Sequence, residues 1–392
     1  MRPVRVLSVL LIVAASQFAI ACGSSDDSGD SGGTSSADTW RIGLEGPLTG
    51  EQSGVGQGML KGAQLAASQL NSQGGLLDKD VEIIPIDDKA DPKTGVTAAN
   101  DAIDAGLDGV VGPYNSGVGL ETLPLYIKDG LVPIRLTSDN ATDNMGYTLQ
   151  PMTDEIAPVA AEAMSKWLGA KTVAIAYDPT TPYTKTVSSG VKSELEGMGV
   201  KVVAMEKIQP GESSYADAVI KLGDTGADVV YAAVYYPEGA AIAKEMLKQN
   251  IKSQCLADYG SYDTGFITDA GVEAAKSCPV VGVPAPDDFQ GSEQLNKDFK
   301  SDFGEAAGTW SPYAYDSVNL LADAVKSEGS FDSTKLNEYL DAVDGWKGWT
   351  GSVTIDAKTG NRDPATVVVT SVDQDDHFNV DQDWANAVGA PY

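Results

Sequence analysis

Short apolar strands alternate with amphipathic helices along most of this 392-residue chain, and that alternation most constrains the fold. In the first half, apolar strands are predicted at 41–44, 81–86, 109–112 and 131–136, with helical patterns between them. Strand–helix–strand repeats of this kind place the strands in parallel in one sheet and the helices on its two faces. The pattern therefore predicts an α/β fold.

The same rhythm begins again after Pro151. Helices are predicted at 156–168, 187–198, 295–303, 317–326 and 336–343. Strands are predicted at 172–177, 200–207, 229–234, 280–283, 352–355, 365–372 and 377–380. Two α/β units in series, in about 350 residues, predict two lobes.

The first 39 residues read as an export and anchoring segment. Arg2 and Arg5 precede a short apolar run, and Cys22 follows small residues, so residues 1–21 resemble a bacterial lipoprotein signal peptide. The alternative is an ordinary secretory signal with Cys22 incidental. Residues 22–39 are nearly all Gly, Ser, Thr and Asp, which predicts a flexible tether. We therefore expect an extracytoplasmic domain that a lipid on Cys22 anchors to the cell membrane.

The composition excludes several functions. With 27 Lys and Arg against 56 Asp and Glu, binding of nucleic acid or adhesion to anionic lipid is not expected. The single histidine, His377, excludes a multi-histidine zinc site and makes a Ser–His catalytic pair improbable, so we expect no metal, no cofactor and no catalytic residue. Cys255 and Cys278 form a disulfide more often than two free thiols outside the cytoplasm.

Polar side chains follow several of the predicted strands, where open α/β sheets bind ligands. Asn115 and Ser116 come after the strand at 109–112 and stand where a helix begins, which suits an anionic ligand group. The alternative is an ordinary helix cap. The strand ends give these candidates for a cleft: Leu48, Thr49, Asn115, Ser116, Ser138, Asn140, Tyr183, Tyr235, Asp258 and Tyr259.

Motifs spread over residues 40–372 resemble the leucine/isoleucine/valine-binding protein family, the type I periplasmic substrate-binding proteins of ABC importers. They are IGLEGPLTG at 42–50, GA at 62–63, LNSQGG at 70–75, DD at 87–88 with DP at 91–92, VG at 111–112, Pro133 with TS at 137–138, YYPE at 235–238 and PYAYD at 312–316. Their common order and spacing carry the resemblance.

The resemblance implies two Rossmann-like lobes with parallel sheets, joined by three hinge crossings. The first lobe would comprise 40–152 plus 285–356, and the second 153–284 plus 357–392. It further implies a monomer that closes about its hinge on an amino acid or related small polar solute and delivers it to an ABC permease in the membrane.

The resemblance also assigns roles to single residues. Ser116 matches the serine that receives the amino-acid head group, and Ser138 and Asn140 fall where a small residue and a threonine share that task. Tyr183 and Tyr235 match tyrosines of the cleft, although both could be core residues.

One position departs from the family. The acid that meets the ligand's ammonium corresponds to Tyr259, and the neighbouring Asp258 replaces it only if its side chain faces the cleft. Neighbours on a strand point to opposite faces. The alternative ligands are therefore an amide, urea or aromatic carboxylate. Separately, the same fold serves as an extracellular sensor, so a sensor rather than an importer component is a further alternative.

The anchor gives the first prediction. Cys22→Ala removes the only thiol that the signal offers for lipid attachment, so the protein should move from the membrane fraction to the soluble extracytoplasmic fraction. Immunoblotting of separated fractions measures this, with Ser24→Ala in the tether as the matched control. Retention of the Cys22→Ala protein in the membrane fraction would contradict lipidation.

Overall fold

The computed structural model describes residues 39–390. The predicted signal peptide, Cys22 and all of the tether up to residue 38 lie outside the described residues. The first strand begins at Thr39, one residue inside the predicted tether.

Strands and helices alternate through the described chain. The strands are β1 Thr39–Gly46, β2 Asp80–Asp87, β3 Gly109–Val111, β4 Pro133–Arg135, β5 Tyr147–Thr148, β6 Thr172–Tyr177, β7 Lys201–Lys207, β8 Val229–Ala233, β9 Gln254–Ala257, β10 Val280–Gly282, β11 Trp346–Gly348, β12 Gly351–Val353, β13 Ile355–Asp356, β14 Asn361–Arg362, β15 Val368–Val372 and β16 Phe378–Val380. The helices are α1 Ser53–Ser72, α2 Pro92–Asp104, α3 Ser116–Lys128, α4 Thr153–Glu162, α5 Pro182–Gly197, α6 Ala216–Asp224, α7 Tyr236–Lys248, α8 Thr264–Ala270, α9 Val272–Lys276, α10 Glu293–Phe303, α11 Ser311–Glu328, α12 Ser333–Asp341 and α13 Gln382–Val388.

Fourteen of the strands form two seven-stranded sheets, and β11 and β12 form a separate antiparallel pair. The first sheet has the order β13-β14-β5-β4-β3-β1-β2 and is parallel except where β13 meets β14. The second has the order β16-β15-β10-β9-β8-β6-β7, with β15 and β16 antiparallel at one edge. These two sheets confirm the predicted α/β fold with two lobes.

The chain passes between the two sheets three times, after β5, after β10 and after β14. The lobe boundaries given above remain a prediction. Because Asn361 of β14 pairs with Thr148 of β5 in the first sheet, we propose that the third crossing lies at 363–367 rather than after residue 356.

Two glycines allow close packing around the first sheet. Gly112 has a φ of +98°, and a Cβ there would lie 2.1 Å from the carbonyl oxygen of Glu45 in β1. Gly62 of α1 faces α11, where a Cβ would lie 2.1 Å from the carbonyl oxygen of Ser311. The turn after β3 and the α1–α11 contact therefore both need glycine.

A disulfide joins Cys255 to Cys278 in the second sheet. Cys255 lies in β9, Cys278 lies two residues before β10, and these strands are parallel neighbours. Their Cα atoms are 4.7 Å apart, and the bond closes a loop with a sequence separation of 23.

The loop length gives the second prediction. Replacing both cysteines, Cys255→Ser with Cys278→Ser, should lower the free energy of unfolding by about 3 kcal/mol because the unfolded chain regains the loop entropy. Urea denaturation followed by circular dichroism measures the loss. The parent protein unfolded in reducing agent is the control and should match the variant; identical midpoints with and without reductant would show that the bond contributes no stability.

Candidate functional site

A narrow cavity lies where the carboxyl ends of the parallel strands of the two sheets meet. Four residues after β3 and β4 form its first-sheet wall: Tyr114, Ser116, Leu136 and Ser138. Four residues after β6, β8 and β9 form its second-sheet wall: Tyr183, Tyr235, Tyr259 and Gly260. The cavity volume is about 10 Å³, room for about one water molecule, so any larger solute needs the two walls to move apart.

Ser116 is the first residue of α3 and is almost completely buried. Its Oγ accepts hydrogen bonds from the backbone N–H groups of Ser138 at 3.3 Å and Asp139 at 3.2 Å. Both bonds use the oxygen as acceptor, so the hydroxyl hydrogen remains available as a donor. The start of a 13-residue helix adds backbone N–H groups and a positive dipole end at the same place.

The two asparagines predicted for the site have other contacts. Asn115 precedes α3, but its side chain does not cap that helix; its Nδ2 donates to Gln52 Oε1 at 2.9 Å, and its amide hydrogen-bonds the hydroxyl of Tyr235. Asn140 lies outside the cavity lining, and its Oδ1 accepts from the Thr153 hydroxyl at 2.6 Å. Asn140 therefore fastens the start of α4 instead of lining the cavity.

Gln150 lies behind the cavity and was not among the predicted residues. It is fully buried, and its Oε1 accepts from the hydroxyls of Ser138 at 3.1 Å and Tyr259 at 3.0 Å. Within residues 39–390 its Nε2 has no hydrogen-bond partner. A buried amide donor without a partner costs free energy, so a ligand acceptor that reached it would be favoured, although Gln150 itself lies outside the cavity lining.

A buried cation supports the same wall. Arg135, the last residue of β4, donates to the Thr137 hydroxyl at 3.3 Å, directly before Ser138. Burial lowers the pKa of Arg135 to about 10, so its guanidinium stays charged at neutral pH. No salt bridge to a carboxylate forms at this cation in the part of the chain that the structure describes. Its charge is offset in part by Asp143, which Asn361 links to the guanidinium through hydrogen bonds.

Aromatic rings connect the two walls. The ring centroid of Tyr235 lies 5.8 Å from that of Tyr183 on the same wall and 6.2 Å from that of Tyr114 on the opposite wall. Trp310, next to the start of α11, lies 5.4 Å from Tyr114 and 5.3 Å from Tyr259. Flat apolar faces thus surround the cavity on both sides.

Asp258 does not line the cavity. It is fully buried, and its carboxylate accepts hydrogen bonds from the hydroxyls of Tyr183 at 2.8 Å and Tyr231, and from the backbone N–H of Gly260 at 3.1 Å. Tyr259 takes the position on the wall instead. Its hydroxyl donates to Gln150.

Burial controls the charge of these groups. It raises the pKa of Asp258, an effect that the hydrogen bonds from Tyr231, Gly260 and Tyr183 oppose. Burial also raises the pKa of Tyr183 and Tyr259 well above the ordinary value, so both phenols are neutral at physiological pH. No side chain that carries a charge lines the cavity in residues 39–390.

Two hydrogen bonds, here called the bridging bonds, join the two sides away from the cavity lining. The hydroxyl of Tyr236, the first residue of α7, donates to the carbonyl oxygen of Glu51 at 2.5 Å. The hydroxyl of Thr186 on α5 donates to Asp139 Oδ2 at 3.1 Å.

The structure gathers half of the predicted cleft candidates around the cavity: Ser116, Ser138, Tyr183, Tyr235 and Tyr259. Leu48 and Thr49 lie outside the lining, and Thr49 instead hydrogen-bonds Asp87 with its hydroxyl at 2.6 Å. Tyr114, three residues after β3, was not among the predicted residues, because an aromatic side chain at a strand end is also typical of a core position.

The arrangement can hold a solute, and its groups do not form a catalytic pair. The ring of His377 lies in an exposed loop between β15 and β16. Within residues 39–390, no group of three or more His, Cys, Asp or Glu side chains could hold a metal ion. None of the helices in the described part is both long and apolar enough to cross a membrane.

The sequence profile of the periplasmic binding protein family matches residues 39–376. A Leu/Ile/Val-binding protein homolog of Brucella abortus is 29% identical over 332 residues, 83% of this chain and 88% of that protein. A leucine-binding protein of Thermotoga maritima superposes with a TM-score of 0.81 at 21% identity, covering 87% of this chain and 97% of that one. A solute-binding protein of R. palustris in complex with 4-hydroxybenzoate superposes with a TM-score of 0.79 at 17% identity, covering 88% and 96%. The two superpositions show the fold.

The geometry of Ser116 gives the third prediction. Ser116→Ala removes one donor to a charged ligand group, worth about 1.5–3 kcal/mol, so the affinity for the native solute should fall roughly ten- to a hundredfold. Isothermal titration calorimetry measures it. Because two buried N–H groups also lose their acceptor, the variant should unfold at lower denaturant concentration.

Ser317→Ala is the matched control, since Ser317 is equally buried but lies on α11 with its hydroxyl bonded to the Tyr313 carbonyl oxygen. Unchanged affinity of the Ser116→Ala protein would limit Ser116 to a structural role.

Proposed function

This chain belongs to the periplasmic binding protein family, and on that premise we propose that it is the extracytoplasmic solute-binding component of an ABC importer. It would hold an amino acid or a related small polar solute between the two walls of the cavity. The observation that carries the proposal is the cavity itself, where the strand ends of two parallel sheets face each other with hydrogen-bond donors on one side and tyrosines on the other.

The first-sheet wall supports binding of a carboxylate. The Ser116 hydroxyl and the N–H groups at the start of α3 are donors, and the Nε2 of Gln150 behind them is a donor without a partner in residues 39–390. Ser138 can also donate, since a hydroxyl that now points at Gln150 can rotate toward a ligand. Asn115 hydrogen-bonds Tyr235, and its buried Oδ1 has no partner in residues 39–390.

The narrow cavity supports a hinge mechanism. The two walls would separate to admit the solute and close over it, and contacts present only in the closed form would drive closure. We place the hinge at the three crossings between the sheets. A lipid on Cys22 and the tether after it would keep this body near the membrane and its permease.

We assign no covalent chemistry to the cavity. The hydroxyls of Ser116 and Ser138 have no adjacent base, and relatives such as the Leu/Ile/Val-binding protein homolog of Brucella abortus carry the name of binding proteins. An extracellular sensor would use the same site, and the two roles differ only in the membrane partner.

The fourth prediction is that purified protein carries or binds a small solute with one molecule per chain. Mass spectrometry of the supernatant after gentle denaturation identifies a retained solute, and calorimetry of the refolded protein with that solute gives the stoichiometry. A refolded protein that binds none of the carboxylates, amino acids and amides in a broad thermal-shift panel would overturn the proposal.

Reconstitution with the permease and ATPase then separates import from sensing. Solute-loaded protein should stimulate ATP hydrolysis several-fold over the protein without solute if it serves an importer. Tyr235→Ala, which disrupts the cavity, is the control. ATP hydrolysis that is the same with and without solute, and the same for both proteins, would argue for the sensor.

A further inference from the structure

We propose that the cavity selects a flat carboxylate that carries no ammonium group, such as an aromatic carboxylic acid, in preference to an α-amino acid. This inference rests on the proposed solute-binding function and narrows the class of solute. It follows from what each wall offers to a charged group.

The first-sheet wall can neutralise a carboxylate. Ser116 Oγ is held by the two backbone N–H groups that it accepts from, so its hydrogen points to a further acceptor. Gln150 Nε2 is a second donor, buried and without a partner in the described residues. The charge of Arg135 lies behind Ser138 on the same side. A carboxylate on the solute therefore has hydrogen-bond donors on this wall, whereas Arg135, whose charge Asp143 offsets in part, lies outside the lining.

The second-sheet wall cannot neutralise an ammonium. Tyr259 stands on the wall, and Asp258 lies beneath it with both carboxylate oxygens occupied by Tyr183, Tyr231 and Gly260. To reach an ammonium, Asp258 would have to leave three buried hydrogen bonds. An ammonium enclosed here would lose its water and gain no anion.

Three other acids lie close enough to act electrostatically on Tyr114 and Tyr235. Asp139 and Asp263 are each tied to neighbouring groups, Asp139 to Thr186 and Asp263 to the backbone N–H of Gly265 at 2.8 Å. Asp178 accepts from Thr180 at Oδ1, whereas its buried Oδ2 has no partner in residues 39–390. None of the three lines the cavity, and Asp178 is the one that the experiment must test.

The tyrosines favour a flat solute with a weak donor at its far end. The hydroxyl hydrogens of Tyr183 and Tyr259 are already donated to Asp258 and Gln150, so their oxygens present lone pairs to the cavity. Lone pairs accept a hydroxyl or amide hydrogen from a neutral group. The ring faces of Tyr183, Tyr235 and Tyr114 pack against planar groups.

Matched pairs of probes test the inference by removing the ammonium alone. L-phenylalanine is compared with 3-phenylpropionate, and L-leucine with 4-methylpentanoate, by calorimetry on refolded full-length protein. The acid without the ammonium should bind about tenfold or more tightly within each pair, and 3-phenylpropionate should bind more tightly than 4-methylpentanoate. Equal or tighter binding of the amino acids would overturn the inference and leave the proposed function intact.

Variants at position 259 make the test sharper. Tyr259→Glu places a carboxylate on the wall and should shift the ratio of the two dissociation constants toward the amino acid by about tenfold or more. Tyr259→Gln introduces a side chain of the same size as glutamate but without charge, so it should leave the ratio near that of the parent protein. Because the ratio is measured within one protein, a general loss of stability does not change it.

Asp178→Asn and Asp258→Asn complete the design. If either acid already pairs with the ammonium of an amino acid, its Asn variant should lose amino-acid binding selectively, and that result would refute the inference. Failure of all four probes to bind would also refute it, whereas failure of the broad panel described above would refute the proposed function itself.

Discussion

Parallel pairing of the strands is the constraint on which the rest of the molecule depends. Since all strands of a parallel sheet end at the same edge, β3, β4, β6, β8 and β9 bring their following residues to two facing edges. The cavity needs no dedicated element, because it consists of the first residues after these strands. Gly112, with its positive φ, keeps the turn after β3 close enough to β1 for α3 to begin beside the cavity.

Asp258 shows how one buried acid organises a wall without touching what lies in front of it. Its three hydrogen bonds fix Tyr183, Tyr231 and the turn that carries Tyr259 and Gly260. Desolvation works against its ionisation, and those donors work in favour of it. The acid thus serves as an anchor for two phenols, and the surface that they present is neutral.

Much of the fold could be predicted from the sequence, because long periodic segments and strand–helix alternation do not depend on how individual side chains pack. The predicted strand at 172–177 coincides with β6, whereas α7 went unpredicted although its buried residues Gly239, Ile242, Ala243 and Met246 recur at helical spacing. Ser116 and Ser138 could be predicted from strand ends. Gln150, far along the chain from the residues that it contacts, could not, because only tertiary packing brings its amide to Ser138 and Tyr259.

The bridging bonds, from Tyr236 to Glu51 and from Thr186 to Asp139, join the walls without using a solute. For a solute that binds only the closed form, the apparent dissociation constant is the intrinsic one divided by the closed fraction. Stronger bridging bonds would therefore lower the apparent dissociation constant, and the same gain in free energy would slow the release of the solute. If the protein delivers its solute to a membrane permease, as proposed above, the bridging bonds must be weak enough to break in each transport cycle.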